Sequence, residues 1–177
     1  MKRIVAFWSL LALTLGLYAT MIFWTLPEIA QDAGSPAFDM RPGGYTPVEA
    51  RDFLSHLGAE GRALYQGPQR LLDALYPACL AAVLIWSLRW ALRGRFPRLF
   101  RFATVVALIG MCADYAENIM VAGFLRADPT AISDAAIARA SYVSQLKAGA
   151  VSLALTAWLA LLIWRVIARL RSRHTNT

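Results

Sequence analysis

An all-α membrane protein, an antiparallel bundle of four transmembrane helices with one large outer loop carrying a short amphipathic helix, is expected on three grounds. Of the 177 residues, 58% are hydrophobic, against about 45 to 50% in a soluble domain. Four apolar stretches, 4–24, 71–90, 102–125 and 142–167, reach the ~20 residues that a helix needs to cross a bilayer. Basic residues gather at alternate ends of these stretches, as an up-down-up-down path requires. The spans take about half of the chain and leave a single integral membrane domain, 1–177.

The first stretch begins Lys2-Arg3 and has the look of a secretory signal. Its apolar core is longer than the roughly 7 to 15 residues of such signals, and no small-x-small cleavage site follows. It is expected to be a retained anchor. The large loop, 25–70, comes next. Leu26-Pro27-Glu28 predicts a helix stop, because proline has no N–H to donate. The Gly- and Pro-rich segment 33–44 predicts irregular backbone. Thr46-Pro47-Val48-Glu49 then carries a capping box with proline at the first helical position.

The helix so started should cover 47–57, with Ala50, Phe53, Leu54 and Leu57 on one face and Gly58 as its stop. That apolar stripe is too narrow to stand alone in water. Helices that lie on membranes carry a basic surplus that this one lacks, so it is expected to cap the mouth of the bundle. A shorter helical piece, 59–66, leads through Gly67-Pro68 into the second span. The loop 93–101 contains Gly94 and Pro97. The third loop, 127–140, opens with Asp128-Pro129-Thr130, and 132–140 extends the fourth helix outward. The spans differ too much in polar content for an inverted duplication.

Charge sets the orientation. Eleven bases, Lys2, Arg3, Arg89, Arg93, Arg95, Arg98, Arg101, Arg165, Arg169, Arg171 and Arg173, fall in three segments that hold no acid. The other two loops hold Arg41, Arg51, Arg62, Arg70, Arg126 and Arg139 together with eight acids. Short basic loops stay inside, so both termini are expected in the cytoplasm and the protein in the inner membrane of a cell. The net charge of +7 is thereby assigned to juxtamembrane residues facing anionic lipid, not to nucleic acid. Trp24 and Trp90 at span ends suit an interfacial belt.

Cys79 and Cys112 sit at different depths and predict no disulfide. His56 has no second histidine in reach, His174 being across the membrane, so no metal centre and no cofactor are expected. An all-carboxylate cation site from Asp73, Asp114 and Glu117 is the variant with the right ligand chemistry. No phosphate loop, nucleophile elbow or dinucleotide fingerprint occurs.

Asp114, Glu117 and Asn118 lie in the third span at spacing i, i+3, i+4 and so share one helix face. Each ionisable group at that depth costs about 2.5 to 3.5 kcal/mol on insertion scales. The face must therefore turn into the bundle. Two carboxylates one turn apart repel unless a cation neutralises them. Lys147 in the fourth span lies within a few ångström of their depth, counting about 1.5 Å per residue, so a pair with Glu117 or Asp114 is expected. Ser144 shares the Lys147 face. Asp73 and Tyr76 stand at the outer mouth of the second helix. Arg41, in Asp39-Met40-Arg41-Pro42-Gly43-Gly44-Tyr45, and Arg62 supply guanidinium groups suited to planar oxyanions.

Asp114, Glu117, Asn118, Lys147, Asp73, Tyr76, Arg41 and Arg62 thus outline a polar pocket open to the periplasmic side. Its expected ligand is small or amphiphilic, a lipid included, and a carboxyl there is a candidate general acid or base. The competing expectations are a structural polar network with pair energies of about 0.6 kcal/mol, an Asp39–Arg41 pair that pins the loop, a contact with a membrane partner or a second copy, and an ion- or proton-coupled transporter.

Overall fold

Helices longer than the apolar stretches themselves make up the computed structural model. It describes residues 1–92, 94 and 96–174, with side chains described as far as Arg165 and at Ile167. Of the bases expected inside, Arg93 and Arg95 and the side chains of Arg169, Arg171 and Arg173 lie outside the described residues, as does the side chain of His174. Among the described residues there is no strand. Four helical stretches are long and apolar enough to cross a membrane: Lys2–Ala33, Ala59–Leu92, Pro97–Phe124 and Asp134–Arg165. The chain is an all-α, multi-pass membrane bundle.

The first stretch is α1 (Lys2–Thr20), a π turn (Met21–Thr25) and α2 (Leu26–Ala33). Pro27 does not stop the helix as its sequence context predicts. The turn before it is widened, with the Leu26 N–H reaching back to Met21 O. A wider turn relieves the clash between a proline ring and the carbonyl four residues earlier. The helix ends only at Gly34, whose φ of 66° is the left-handed conformation that glycine adopts freely.

A short 3-10 turn (Phe38–Met40) and α3 (Pro47–His56) follow. The Thr46–Glu49 capping box forms in full. Gly58 does not serve as the left-handed stop of α3. Its backbone is extended, and its N–H donates to Asp32 Oδ2 at 2.6 Å. Asp32 therefore caps the next helical stretch from a distance, and a Cβ on Gly61 would run into its carboxylate. That stretch is α4 (Ala59–Leu64), a second π turn (Tyr65–Gln69) that absorbs Pro68, and α5 (Arg70–Leu92). The outer loop between the first two membrane-crossing stretches is accordingly shorter than the 25–70 read from sequence.

α6 (Pro97–Phe124) and α7 (Asp134–His174) complete the bundle. Short links make α5, α6 and α7 mutual neighbours, and α1 packs along α5. Gly110 lets α6 and α7 close up, since a Cβ there would stand 3.1 Å from Val151 Cγ2. Cys79 and Cys112 are free thiols.

Two apolar cores result. The larger lies at the end of the bundle that carries α3 and the loop, called the outer end below, where Ile29, Phe38, Phe53, Leu54, Tyr65, Phe124 and Ile137 pack together. Phe38 is its hub, within 4.8 to 6.2 Å of the Tyr45, Phe53 and Phe124 rings. The apolar face of α3 is consumed here, with Ala50 and Phe53 fully buried, so α3 caps the bundle. The smaller core joins Leu84, Val106, Ala107, Ala150 and Ala154 on the inner side. There the Trp158 indole N–H donates to Ser87 Oγ. Arg165 donates to the Trp90 and Ala91 carbonyls and lies 4.3 Å from the Trp90 ring, closing the end of α5.

Candidate functional site

Between the two cores lies a cluster of buried polar groups drawn from every span and from the outer loop. Its centre is Lys147, projected inward by α7. The ammonium contacts Glu117 and lies 3.4 Å from Asp39 Oδ1 and 3.9 Å from Asp114 Oδ1. The Glu117 side chain is only 1% exposed, and Ser144, one turn before Lys147, donates its hydroxyl to it. Helical spacing accounts for this arrangement. Asp114 and Glu117 share a face of α6, and Ser144 and Lys147 share the facing side of α7.

Asn118 ties the cluster to α5. Its Nδ2 donates to Asp114 Oδ1 at 3.1 Å and to the Asp73 carbonyl at 3.2 Å. That carbonyl is available because Pro77, four residues on, has no N–H to satisfy it. The next carbonyl along, that of Ala74, takes the Tyr115 hydroxyl at 2.9 Å. A proline inside α5 thus becomes a docking point for α6.

The Asp73 carboxylate accepts from Gln69 Nε2 at 2.7 Å, and Gln69 Oε1 accepts from Thr25. Gln69 and Thr25 are fully buried, and each belongs to a π turn. The two widened turns therefore face each other and carry the α1 end of the network.

The loop closes the cluster from outside. Burial of Phe38 in the aromatic hub brings its neighbour Asp39 down to Lys147 and to the Tyr65 hydroxyl, which donates at 2.7 Å. Gly44, at a φ of 83°, runs tightly over α7, and a Cβ there would come within 2.5 Å of Ser141 and Gln145 atoms. The Tyr45 N–H then donates to Ser141 Oγ at 2.8 Å. The Tyr45 hydroxyl is buried beside Ser144 and, among the described residues, finds no partner in hydrogen-bonding geometry. Burial, with Glu117 and Asp39 near, pushes the Tyr45 phenol well above the ordinary tyrosine range.

Asp114, Glu117, Asn118, Lys147 and Asp73 are brought together. Of the other three candidates, Tyr76 stays within electrostatic reach of Asp114 and Lys147, while Arg41 and Arg62 are taken up by backbone carbonyls. Tyr76 stacks on Tyr18 with centroids 5.7 Å apart. Arg41 donates to the Pro36 carbonyl at 2.9 Å and lies over the Phe53 ring. Arg62 donates to the carbonyls of Leu54 and Leu125, joining α3 and α4 to the end of α6. Asp39 pairs with Lys147 and not with Arg41. Thr25 and Gln69 are the additions that sequence spacing did not reveal, while Asp39 and Tyr45 come from the loop segment already singled out in the sequence, and Tyr65 joins them through Asp39. Among the described residues no three acids, histidines or cysteines are placed to hold a metal ion.

Three carboxyl groups, Asp39, Asp114 and Glu117, thus surround one ammonium, and a fourth, Asp73, is held in the same cluster by Gln69. Fully ionised, the set would be negative, so it attracts cations and disfavours anions. Comparison with family models, curated proteins and solved structures finds no match to this chain.

Proposed function

We propose that this multi-pass protein resides in a cell inner membrane with both termini in the cytoplasm. Its outer polar cluster would be a binding site for a small or amphiphilic ligand, reached from the periplasmic side when the loop bearing Asp39 lifts. The observation that carries this reading is the Lys147 cage. Two of its carboxylates come from α6 and the third from a surface loop, so the site and its cover are one electrostatic unit. A cluster that only joined helices would not need an acid from the loop. Burial of Glu117 also counts against the partner-binding alternative, which needs these groups on the lipid-facing surface. The eleven bases at alternate span ends support the orientation.

Native mass spectrometry of protein taken directly from its own membrane into nanodiscs tests the ligand reading. A bound adduct should accompany the parent chain and be lost or depleted in Lys147→Met. No adduct, or the same adduct in both, overturns it. Orientation is tested in a cysteine-free background (Cys79→Ala, Cys112→Ala). In intact cells a membrane-impermeant maleimide should label Asp52→Cys and spare Arg98→Cys. The reverse pattern would invert the topology.

A further inference from the structure

A second feature of the cluster lies beside the Lys147 cage and goes beyond the binding of a ligand there. A cavity of about 20 Å³ opens between the outer ends of α5 and α6. That is room for about one water and for nothing larger. Its rim carries Arg70, exposed, and Gln66, half-buried. Asp73 on α5 and Asn118 on α6 line it deeper down. The inner side of the cage is different: the crevice there has a volume of about 10 Å³, and apart from Asp114 its lining side chains are apolar. A polar path from water to the cluster therefore exists at the outer end.

Asp73 stands apart from the other three carboxyl groups. Asp39, Asp114 and Glu117 gather on Lys147, whereas Asp73 makes no ion pair among the described residues. It is only 5% exposed. Its Oδ1 accepts from Gln69, and its Oδ2 takes no hydrogen bond among the described residues. The charged and titratable groups that face it are Asp114 of α6, Lys147 of α7 and Asp39 of the loop, with Tyr65 of the second π turn. Glu117, Tyr45 and Tyr76, the last stacked on Tyr18 of α1, complete the cluster, and Arg70 stands at the cavity rim. One ammonium is already outnumbered by three carboxylates. A fourth buried negative charge with no cation of its own is expensive, and a proton is what neutralises it. The Tyr45 hydroxyl points into the same cluster, buried and unpartnered among the described residues. A hydroxyl can donate or accept, so the hydrogen bonds can readjust when the charge of the cluster changes.

We propose that Asp73 is a proton-binding site served from the outer side. Through one water in the cavity, a hydronium ion passes its proton to the Asp73 carboxylate and is left as water; release runs the opposite way. Asn118, bonded to both the Asp73 carbonyl and Asp114, joins this site to the cage. Loading Asp73 therefore changes the charge felt by Lys147 and Asp39.

The test is infrared spectroscopy of the full chain in phosphatidylcholine nanodiscs. At neutral pH the parent should show a protonated-carboxyl band that moves in heavy water. Asp73→Asn, a change of the same shape that Gln69 can still bond, should lose the intensity of one carboxyl. No band in the parent, or the same intensity in the variant, overturns the assignment to Asp73. Ala122→Leu crowds the cavity, which Ala122 also lines, and leaves all four carboxyls in place. It should keep the band and slow its response to heavy water several-fold; an unchanged rate overturns the cavity as the route. A titration of the parent needs no variant to fold. The band should fall as pH rises, and to the same extent in sodium and in choline chloride. A band that persists until the protein unfolds overturns exchange, and a band that sodium removes at fixed pH overturns the proton in favour of a metal cation. A proton leaves no adduct in the mass spectrometry of Lys147→Met, so the ligand reading of the cage stands or falls separately.

Discussion

The outer and inner halves of the bundle solve the same problem in opposite ways. In the inner half, α5, α6 and α7 are joined by small and aliphatic residues, one Ser87–Trp158 hydrogen bond and the Arg165 closure of α5. In the outer half the same helices are joined by an ammonium among carboxylates, with π turns, a helix-internal proline and a loop acid in support. Buried ion pairs are often no more stabilising than apolar residues of the same volume. The inner half shows that these helices associate without them. The outer ions therefore cannot be explained by association alone, and this contrast is the best physical reason to place a function there.

The comparison breaks most sharply at Lys147. Lys147→Met leaves Glu117 buried without its cation and should cost about 3 to 5 kcal/mol, measured by reversible unfolding in bicelles. Adding Glu117→Gln should recover part of that loss. A cost below about 1 kcal/mol would mean that the outer half is held by packing, like the inner. Next in size is Asp39→Asn, which weakens the hydrogen bond from Tyr65 and the contact with Lys147. Bonds to charged groups contribute about 1.5 to 3 kcal/mol each, so the loop should lose stability on that scale, read as faster proteolysis between residues 34 and 46. Unchanged proteolysis would detach the loop from the cluster.

On the inner side, Ser87→Ala removes the Trp158 acceptor and should cost about 0.6 kcal/mol, the mean for hydrogen bonds between membrane helices. A cost as large as that of Lys147→Met would erase the distinction between the halves. The smallest effect is expected at the loop surface. The Thr46 backbone N–H, and then its hydroxyl, hold the Glu49 carboxyl below its ordinary value of 4.5. A depressed folded value means that the stabilisation is present above 4.5 and disappears as pH falls through the folded value. Proteolysis at α3 should therefore quicken in that acid range, and Glu49→Gln should flatten the response.

Much of the outer cluster was legible in the sequence, and for stated reasons. Asp114, Glu117 and Asn118 share a face by spacing alone, and depth counting along two helices brings Lys147 to them. The capping box of α3 and its apolar stripe are local signals, read in the same way. The contact of Asp39 with Lys147 could not be found so: its position depends on Phe38 entering an aromatic hub with Tyr45, Phe53 and the distant Phe124. Arg41 and Arg62 looked like ligands for an anion because guanidinium geometry suits oxyanions. Nothing local reveals that the carbonyls of Pro36, Leu54 and Leu125 would claim them. Pro27 was misread because the proline rule assumes an α-helical turn before it. Once that turn widens, the expected stop does not occur, and Thr25 is carried to Gln69.

The two π turns have a consequence for how the chain tolerates change in length. Each α-helical residue contributes about 100° of rotation and 1.5 Å of rise. A π turn takes up one residue more than an α turn, so deleting one residue between Met21 and Thr25 would let an ordinary turn form with α2 facing as before, and Ile29, now fully buried, would keep its place. What such a deletion would remove is the widening that carries Thr25 to Gln69. A deletion from α1 or α5 themselves would instead rotate the rest of that helix by about 100°. Variation in chain length should therefore be found in the loop between Gly34 and Gly43 and at the two π turns, and not within the regular helices.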